Sequence, residues 1–510
     1  MSTDQSRRNF LAGASAAALA STTLSVPGLA REGAEDAAKF QAVRAVAQKA
    51  VADGTVQSLS IAVLRDGRIE WEEAFGMADR EAGIPATVHT SYSLASISKP
   101  ITATALMTLV EAGKVDLAAP LHTYLQAGQI NPRIGDASEA TVGLVANHTS
   151  GLPFHVQFFY EGAPHQRPPQ SETIAKWAQI ISRPGEAFTY SNLGFGLLGD
   201  VIEGASGQSL GDYLQSAVFA PLDMRATSLG RSTGPGVQAA VRYSAQNERL
   251  PYYVTDHAGA SEFYSSAHDL IRFAAFHMNG PLPEQQPILT RRNAIRMHVN
   301  TARPGEESGY GIGFSTGRSR GLETVQHGGS MPGVATQMVM VPSKGVAYVV
   351  LCNTWVFEPR NEIVELLLDE LLGAEPESSA EPAAEDGAEN PVPADLAGEW
   401  VGTITRPEGD AIPVSLTIDE AGAIAARIGD RQQVAVTDAA YENRRLTGAI
   451  EQRFQAADTA RYDNSVQLDL KHEGDRLYGG FAALDDLENQ TFAAGLTFGW
   501  ICNVGPDDLP

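Results

Sequence analysis

The chain has 510 residues, of which 43% are hydrophobic and 19% charged, as in ordinary globular proteins rather than disordered ones. This length is enough for more than one domain. The formal net charge of -24, with no lysine or arginine run beyond the first residues, excludes nucleic acid and anionic membrane surfaces as expected partners.

The amino terminus has the pattern of an export signal. Arg7 and Arg8 precede an apolar stretch, residues 10–24, and the small residues 28–30 offer a cleavage site. Because this pattern is similar to a twin-arginine signal, we expect residues 1–30 to be removed and the mature protein to be periplasmic or secreted. The alternative is an uncleaved anchoring helix, but the stretch is shorter than the roughly 20 apolar residues that span a bilayer. No membrane contact is expected after removal of the signal.

Regular patterning begins after this signal. Residues 34–52 have the composition of a helix, and an Asp66-Gly67 pair between two alternating runs predicts a type I′ hairpin. The strands of this hairpin are predicted at 59–65 and 70–75, later strands at 334–341 and 346–353, and helices at 100–113, 194–205, 209–218, 267–278 and 361–372. Strands at both ends with helices between them predict one sheet assembled from both ends of the domain.

The first candidate site is the pair Ser96 and Lys99, at the start of the helix predicted at 100–113. Residues three apart share a helix face, so the Lys99 amine can reach the Ser96 hydroxyl. The helix amino terminus favours an alkoxide, and together with burial it lowers the pKa of Lys99, so that a neutral amine can accept the serine proton. Taken alone, the Ser-x-x-Lys pattern more often marks a capping serine beside a solvated lysine.

The second candidate site is Tyr190-x-Asn192, just before the helix predicted at 194–205. A nearby lysine ammonium would stabilise the Tyr190 phenolate, which makes Tyr190 a candidate general base or proton shuttle. The Asn192 amide can hold a substrate carbonyl or a neighbouring lysine. The alternative is an ordinary loop with an asparagine cap.

The third candidate site is His327-Gly328-Gly329-Ser330, at the end of an apolar strand that begins near Thr324. Glycines let a substrate backbone approach closely, and a following N–H group can complete an oxyanion hole. The alternative is a turn after a strand, with His327 solvated.

The carboxyl-terminal part changes in character. Residues 373–393 carry six acidic residues and no basic one among prolines, alanines and serines, which predicts a solvated linker. Alternation returns at 414–418 and 466–470, and turn residues between short runs predict a small antiparallel barrel or sandwich over residues 394–510.

The two cysteines, Cys352 and Cys502, lie far apart in the sequence. Their separation favours two buried thiols, with a disulfide as the alternative in an oxidising compartment. No cysteine or histidine spacing typical of metal ligands is present, so no metal site is predicted.

The three candidate sites, in this order, resemble the motifs of the penicillin-recognising serine hydrolases. That family includes class C β-lactamases, DD-peptidases, D-aminopeptidases and β-lactamase-related esterases. Shorter matches within residues 55–372 add to the resemblance; they lie at 147–153, 190–224, 266–270 and 309–314. Beyond the linker, residues 396–402 are similar to the opening of a lipocalin-like barrel, with an unrelated β-domain as the alternative.

The resemblance implies an α/β (α+β) fold for residues 31–372, in which helices flank an antiparallel sheet and form a helical subdomain. It also implies a covalent acyl-enzyme: Ser96 attacks a carbonyl carbon, Lys99 and Tyr190 share the proton transfers, and water releases the acyl group with Tyr190 as base. The backbone N–H groups of Ser96 and Ser330 would form the oxyanion hole. The residues implied to contact substrate are Asn192, His327, Gly328 and Gly329.

One departure from the family narrows the function. His327 stands where many members have a lysine that receives the carboxylate of β-lactams and peptide termini, and histidine is mostly neutral near pH 7. We therefore expect an exported hydrolase of small amides, D-amino-acid peptides or esters, acting on a small-molecule or peptide substrate without a cofactor. The alternatives are a β-lactamase or DD-carboxypeptidase of the same fold and, from another class, a non-catalytic ligand-binding or scaffold protein. The oligomeric state is not predicted.

Overall fold

The computed structural model describes residues 39–126, 128–163, 166–231, 236–373, 392–405, 411–442, 444–451, 464–474, 476–485 and 501–505. The predicted export signal (1–30) and residues 374–391 of the predicted linker lie outside these ranges. Among the described residues, no helix combines the length and the apolar character that crossing a bilayer requires.

The described helices and strands follow the order expected from the sequence. The helices are α1 (Gln41–Ala52), α2 (Ser98–Glu111), α3 (Val142–Ala146), α4 (Gln170–Trp177), α5 (Asn192–Ser206), α6 (Leu210–Leu214), α7 (Ala258–Ser261), α8 (Ala267–Asn279), α9 (Arg291–Met297) and α10 (Glu358–Leu372). The strands before the linker are β1 (Ser58–Arg65), β2 (Arg68–Asp79), β3 (Ile84–Pro85), β4 (Tyr92–Ser93), β5 (Asn131–Pro132), β6 (Phe158–Tyr160), β7 (Gln179–Ile180), β8 (Ser228–Leu229), β9 (Tyr253–Thr255), β10 (Phe263–Ser265), β11 (Gly309–Tyr310), β12 (Ser315–Ser319), β13 (Leu322–Met331), β14 (Val334–Val341) and β15 (Val346–Cys352).

The main sheet is antiparallel and joins both ends of this region, as predicted. Its strand order is β11-β12-β13-β14-β15-β1-β2-β3, so β1 from the start pairs with β15 from the end. Asp66 and Gly67 both have positive φ (50° and 74°), as a type I′ turn between β1 and β2 requires.

Helices cover both faces of the sheet, which explains why its central strands are almost continuously apolar. Leu59, Ile61 and Val63 of β1 pack with α1 and α10 in one buried cluster. Ala62 and Leu64 point to the opposite face and pack with the larger cluster that contains α2, α5 and α8. This larger cluster includes the helical subdomain.

Helix α2 is buried around nearly its whole circumference, since eleven of its fourteen residues are buried. It is preceded by a short 3₁₀ turn, Ala95–Ile97, so that Ser96 and Lys99 lie on either side of the helix start. Pro100 occupies the first turn, where its missing N–H group has no intrahelical partner to lose.

The carboxyl-terminal strands are β16 (Gly398–Thr405), β17 (Ala411–Ile418), β18 (Ile424–Ile428), β19 (Val434–Glu442), β20 (Arg445–Ile450), β21 (Asn464–Glu473), β22 (Arg476–Asp485) and β23 (Ile501–Gly505). Each is antiparallel to the next, and β23 pairs back with β16, which closes a barrel. A closed ring leaves no unpaired sheet edge. The sequence predicted either a small antiparallel barrel or a sandwich for this region, and the structure confirms the barrel.

Two predicted elements differ from the structure. The helix predicted at 209–218 is α6 followed by a π-helical turn, Gln215–Phe219, with Ser209 as the N-cap. The helix predicted from residue 34 begins at Gln41 within the described residues. Cys352 is a free, buried thiol, and the side chain of Cys502 lies outside the description.

Candidate active site

The turn that carries Ser96 is strained. Ala95 has φ 49°, in the left-handed region that non-glycine residues rarely adopt, and its side chain is fully buried. The N–H group of Leu94 donates to Phe263 O at 2.8 Å, which ties the turn to β10. Within this buried surrounding Ser96 is partly exposed, so the turn presents its hydroxyl to the cleft.

Lys99 is completely buried and its Nζ has three described partners. They are Ser96 Oγ at 3.0 Å, Asn192 Oδ1 at 2.7 Å and Ala260 O at 3.2 Å. Burial lowers the pKa of Lys99 well below its ordinary value. None of these three partners is a carboxylate, which would oppose that shift. A neutral amine has two N–H groups and one lone pair. Since Asn192 Oδ1 and Ala260 O only accept, the lone pair is left for the Ser96 hydroxyl proton.

The electrostatics of Tyr190 do not favour the expected phenolate. Burial raises the pKa of Tyr190, although a hydrogen bond with Ser96 acts in the opposite direction. Lys99 Nζ lies 4.6 Å from the centre of the Tyr190 ring, over its face rather than beside its hydroxyl. Tyr190 therefore stays a phenol near neutral pH, and Lys99 is the better candidate base in the free protein.

Asn192 is the first residue of α5 and is buried. Its Oδ1 accepts from Lys99, and its Nδ2 donates to His155 O at 2.9 Å. The preceding Ser191 caps the helix by accepting from Gly194 N at 3.0 Å and also donates to Pro153 O. The sequence suggested that Asn192 holds either a substrate carbonyl or a neighbouring lysine. In the structure its amide holds Lys99, and the residue lies at the edge of the cleft.

Gly329 lets β13 lie directly against the Ser96 turn. A Cβ atom at this position would stand 2.2 Å from Leu94 O and 2.2 Å from Thr336 Oγ1. Only glycine fits this approach. The neighbouring Ser330 is exposed, and its Oγ accepts from Trp355 Nε1 at 3.2 Å. Residues 327–330 are part of the strand itself rather than of a turn that follows it.

His327 does not occupy the position expected for a substrate contact. Its Nδ1 donates to Gly328 O at 2.7 Å, its Nε2 accepts from the Tyr310 hydroxyl at 2.8 Å, and only 4% of the residue is exposed. Burial lowers the pKa of His327 to about 3, so the ring is neutral. The His327 ring lies on the same face of β13 as Gly329, 6.5 Å from the ring of Tyr190, while Gly328, Gly329 and Ser330 line the cleft.

The cleft beside Ser96 has a volume of about 510 Å³, within the range of small-molecule sites. Phe154, Val156 and Phe158 form an apolar wall, and Gln337 and Arg360 add polar groups. Arg360 reaches the cleft from α10, where its guanidinium also donates to Thr336 O and lies 4.9 Å from the Phe357 ring.

Several residues around the site carry no role in the sequence predictions. His148 and Tyr310 fall within stretches that match the family, but nothing in those stretches marks them individually. His148 Nδ1 accepts from Ser191 N at 3.1 Å, and its ring lies 4.4 Å from that of Tyr190. Burial lowers the pKa of His148 well below its ordinary value.

A buried cluster of His155, Asp256 and His257 was also missed. Its side chains offer nitrogen and oxygen atoms of the kind that bind transition metals. The imidazole nitrogens lie 2.8 to 3.0 Å from the Asp256 carboxylate, as direct hydrogen bonds do. Ligands of a tetrahedral zinc ion are spread farther apart, by about 3.3 Å. The geometry therefore fits a hydrogen-bonded triad better than a metal site.

Comparison with known proteins places this site in a family. The family model described as Beta-lactamase matches residues 43–372, more than half of the chain. The chain belongs to the beta-lactamase family. It is accordingly a serine hydrolase of the β-lactamase-related type.

The curated relatives of this chain include a named esterase. Esterase EstB of Burkholderia gladioli is 31% identical over 321 residues, which cover 54% of this chain and 80% of the esterase. Other curated relatives at 22% to 26% identity are matched over about 60% of their own length.

Two solved structures show the fold. SurE with D-Leu has a TM-score of 0.63 at 21% identity and covers 91% of this chain and 100% of its own. The D-amino acid amidase from Ochrobactrum anthropi SV3, complexed with D-phenylalanine, has a TM-score of 0.53 at 24% identity over 64% of this chain and 98% of its own. At these identities the likeness is one of fold alone.

Proposed function

We propose that Ser96 is the nucleophile of an acyl-transfer reaction and that Lys99 is its general base. The observation that carries this proposal is the 3.0 Å contact between Lys99 Nζ and Ser96 Oγ, made by a buried lysine whose other partners only accept hydrogen bonds. Ser96 Oγ bonds to the carbonyl carbon while its proton passes to Lys99 Nζ. The N–H groups of Ser96 and Ser330 hold the oxyanion of the tetrahedral intermediate.

Collapse of this intermediate breaks the bond to the leaving group. Tyr190 donates its phenolic proton to the departing nitrogen or oxygen, which leaves a Tyr190 phenolate beside the protonated Lys99. A water molecule then attacks the acyl carbon and gives its proton to the Tyr190 phenolate. The bond from Ser96 Oγ to the acyl carbon breaks, and Lys99 returns its proton to Ser96. No cofactor is needed in either half of the cycle.

The substrate class that we propose is small amides, D-amino-acid peptides or esters. A neutral, buried His327 cannot receive a carboxylate as an ammonium would, which disfavours substrates recognised through that group. The names of the relatives, an esterase and a D-amino acid amidase, support the same range. The apolar wall of the cleft suits an apolar acyl or side-chain group.

One observation favours a second candidate. Arg360 brings a guanidinium to the cleft, and that group binds carboxylates in a bidentate manner. A β-lactamase or DD-carboxypeptidase that uses Arg360 in place of the missing lysine is therefore the alternative activity.

A fluorophosphonate probe and a substrate panel test these proposals. We expect one adduct per chain, at Ser96 in the wild type and absent from Ser96→Ala, and turnover of short p-nitrophenyl esters or D-alanyl amides above that of nitrocefin. The absence of labelling in the native wild type would favour a non-catalytic ligand-binding or scaffold protein. Nitrocefin turnover equal to or above that of the esters and amides would favour the second candidate.

We also propose that the protein is exported. Residues 1–30 would direct twin-arginine transport to the periplasm or exterior, residues 373–393 would link the hydrolase domain (31–372) to the barrel, and the barrel (394–510) would be lipocalin-like. The sequence pattern around Arg7 and Arg8 and the consecutive antiparallel pairing of the barrel strands support this. Replacement of both arginines by lysine should retain the precursor in the cytoplasm, as measured by cell fractionation.

A further inference from the structure

Asp256 is a buried carboxylate without a described lysine or arginine partner. Its side chain has 0% exposure, and its oxygens contact His155 Nε2 at 2.8 and 2.9 Å, His257 Nδ1 at 3.0 Å and Thr173 Oγ1 at 3.4 Å. Burial alone would raise the pKa of Asp256, but the two imidazoles outweigh it and hold the pKa below its ordinary value. A buried anion of this kind costs stability, so its position needs an explanation.

One side of the triad leads to Lys99 through Asn192. Asp256 holds the His155 ring, and the backbone oxygen of His155 accepts from Asn192 Nδ2 at 2.9 Å. That bond fixes which way the Asn192 amide points and so directs Oδ1 toward Lys99 Nζ at 2.7 Å. His155 therefore connects the two: its ring is held by Asp256, and its backbone oxygen orients the Asn192 amide.

The other side leads to Lys99 through α7. Asp256 holds the ring of His257, which immediately precedes α7 and whose backbone oxygen accepts from Ala260 N at 2.8 Å. Ala260 O in turn accepts from Lys99 Nζ at 3.2 Å. Helix α7 packs tightly here, since a Cβ on Gly259 would stand 2.6 Å from Phe195 O.

We propose that Asp256 is a positioning residue for Lys99: by holding His155 and His257 together, it fixes both acceptors of the Lys99 amine. Asn192 Oδ1 and Ala260 O then take the two N–H groups, and the lone pair is directed at Ser96. This inference rests on the proposed role of Lys99 as a base. It assigns Asp256 no contact with substrate.

The other groups that face Lys99 do not supply a charge. Tyr190 stays protonated because burial raises its pKa, and burial lowers the pKa of His257 to about 4. His148 and His327 are neutral for the same reason. Asp256 is ionised because the imidazoles of His155 and His257 hold its pKa low, and it acts on Lys99 through the two acceptors rather than through a direct contact.

The test is the rate of fluorophosphonate labelling of the full chain from about pH 5 to about pH 10 in wild type and Asp256→Asn. In the wild type the rate should rise with pH as Lys99 loses its proton and then level off. In Asp256→Asn the plateau should fall about tenfold or more, because the acceptors are no longer held. The midpoint should move to lower pH by about half a unit or more, because the ammonium loses its fixed acceptors.

Matched variants separate positioning from damage to the fold. His155→Gln keeps a nitrogen donor where Nε2 stands and should retain a labelling rate close to the wild type, whereas His155→Leu should reproduce the slower plateau. Thr173→Val removes a different contact of Asp256, one that is not connected to Asn192 or Ala260. This variant should be labelled at the wild-type rate. Melting temperatures establish that each variant is folded. Should Asp256→Asn fail to fold, the two His155 variants carry the test.

Three results would overturn the inference. They are an unchanged rate and midpoint in Asp256→Asn, a slower plateau with an unmoved midpoint, and a stoichiometric metal ion in the purified protein, which would make the triad a metal site. Loss of labelling in the wild type itself would instead overturn the proposed function, so the two failures are distinguishable.

Discussion

The proposed role of Lys99 depends on the hydrogen-bonding capacity of its neighbours rather than on a neighbouring base. Two groups that only accept hydrogen bonds occupy the N–H groups of the neutral amine, and burial keeps that form populated. Tyr190, the other proton carrier, remains a phenol. The pair thus combines one proton acceptor with one proton donor, as acylation and leaving-group departure require.

Gly329 is the residue whose size decides how close β13 comes to Ser96. In Gly329→Ala the new Cβ would overlap Leu94 O, a backbone atom of the strained turn, so the strand or the turn must shift. We expect labelling of Ser96 to slow by about tenfold or more, because the Ser330 N–H moves away from the oxyanion. Labelling rates and melting temperatures measure the effect.

Gly328→Ala is the matched control. Its Cβ would meet Gln337 Oε1 at 3.0 Å, the far end of a flexible side chain that can move aside. We expect a labelling rate within about threefold of the wild type. An equal loss in both variants would mean that any side chain on β13 is harmful, and the specific role of the Gly329 approach would be wrong.

Among the elements, the loop of residues 184–190 connects the site to the barrel. Lys471 of β21 pairs with Glu186, and Arg445 of β20 donates to Phe188 O at 3.4 Å while pairing with Asp469. The Phe188 ring packs on His148 at 5.7 Å. The barrel therefore contacts the segment that ends in Tyr190.

A charge exchange tests whether this contact affects the reaction. Glu186→Lys or Lys471→Glu alone should lower kcat by a few-fold, and the double variant should recover most of the loss. The pair is partly exposed, so its removal is worth at most about 1 kcal/mol, or about fivefold. Steady-state kinetics with the best ester or amide substrate measure it. Equal kcat in all four proteins would show that the loop is positioned without the barrel.

At the scale of the whole molecule, buried neutral histidines make folding sensitive to acid. Burial lowers the pKa values of His257 and His298 to about 4 and that of His327 to about 3, whereas an unfolded histidine titrates near 6.5. The unfolded chain therefore binds more protons as the pH falls below about 6.5. Stability from these residues is complete above that pH and is lost as the pH falls toward the folded values.

We expect the melting temperature to fall steadily from about pH 6.5 to about pH 4.5, with each of these histidines contributing at most about 1.4 kcal/mol per pH unit. His298→Gln should make the dependence shallower. His122→Gln, at an exposed position, is the control and should leave it unchanged. A melting temperature that is constant or rises over this interval would contradict the prediction.

The elements that follow from local chemistry were predicted well. Asp66 and Gly67 specify the hairpin turn by themselves, and the strands and long helices follow from patterning and end signals that lie within the elements. The π-helical turn after α6 was missed, because the tertiary packing that overrides helical patterning leaves no local signal.

The sequence by itself determined the order of the three motifs, the Ser96 and Lys99 spacing and the hydrolase family. Those features depend on residue identity and on short separations along the chain. The tertiary structure alone decided that His327 is buried against Tyr310, that Tyr190 is a phenol, that Arg360 reaches the cleft and that Asp256 contacts both His155 and His257. Each of these depends on burial or on contacts between residues far apart in the chain, which no local pattern encodes.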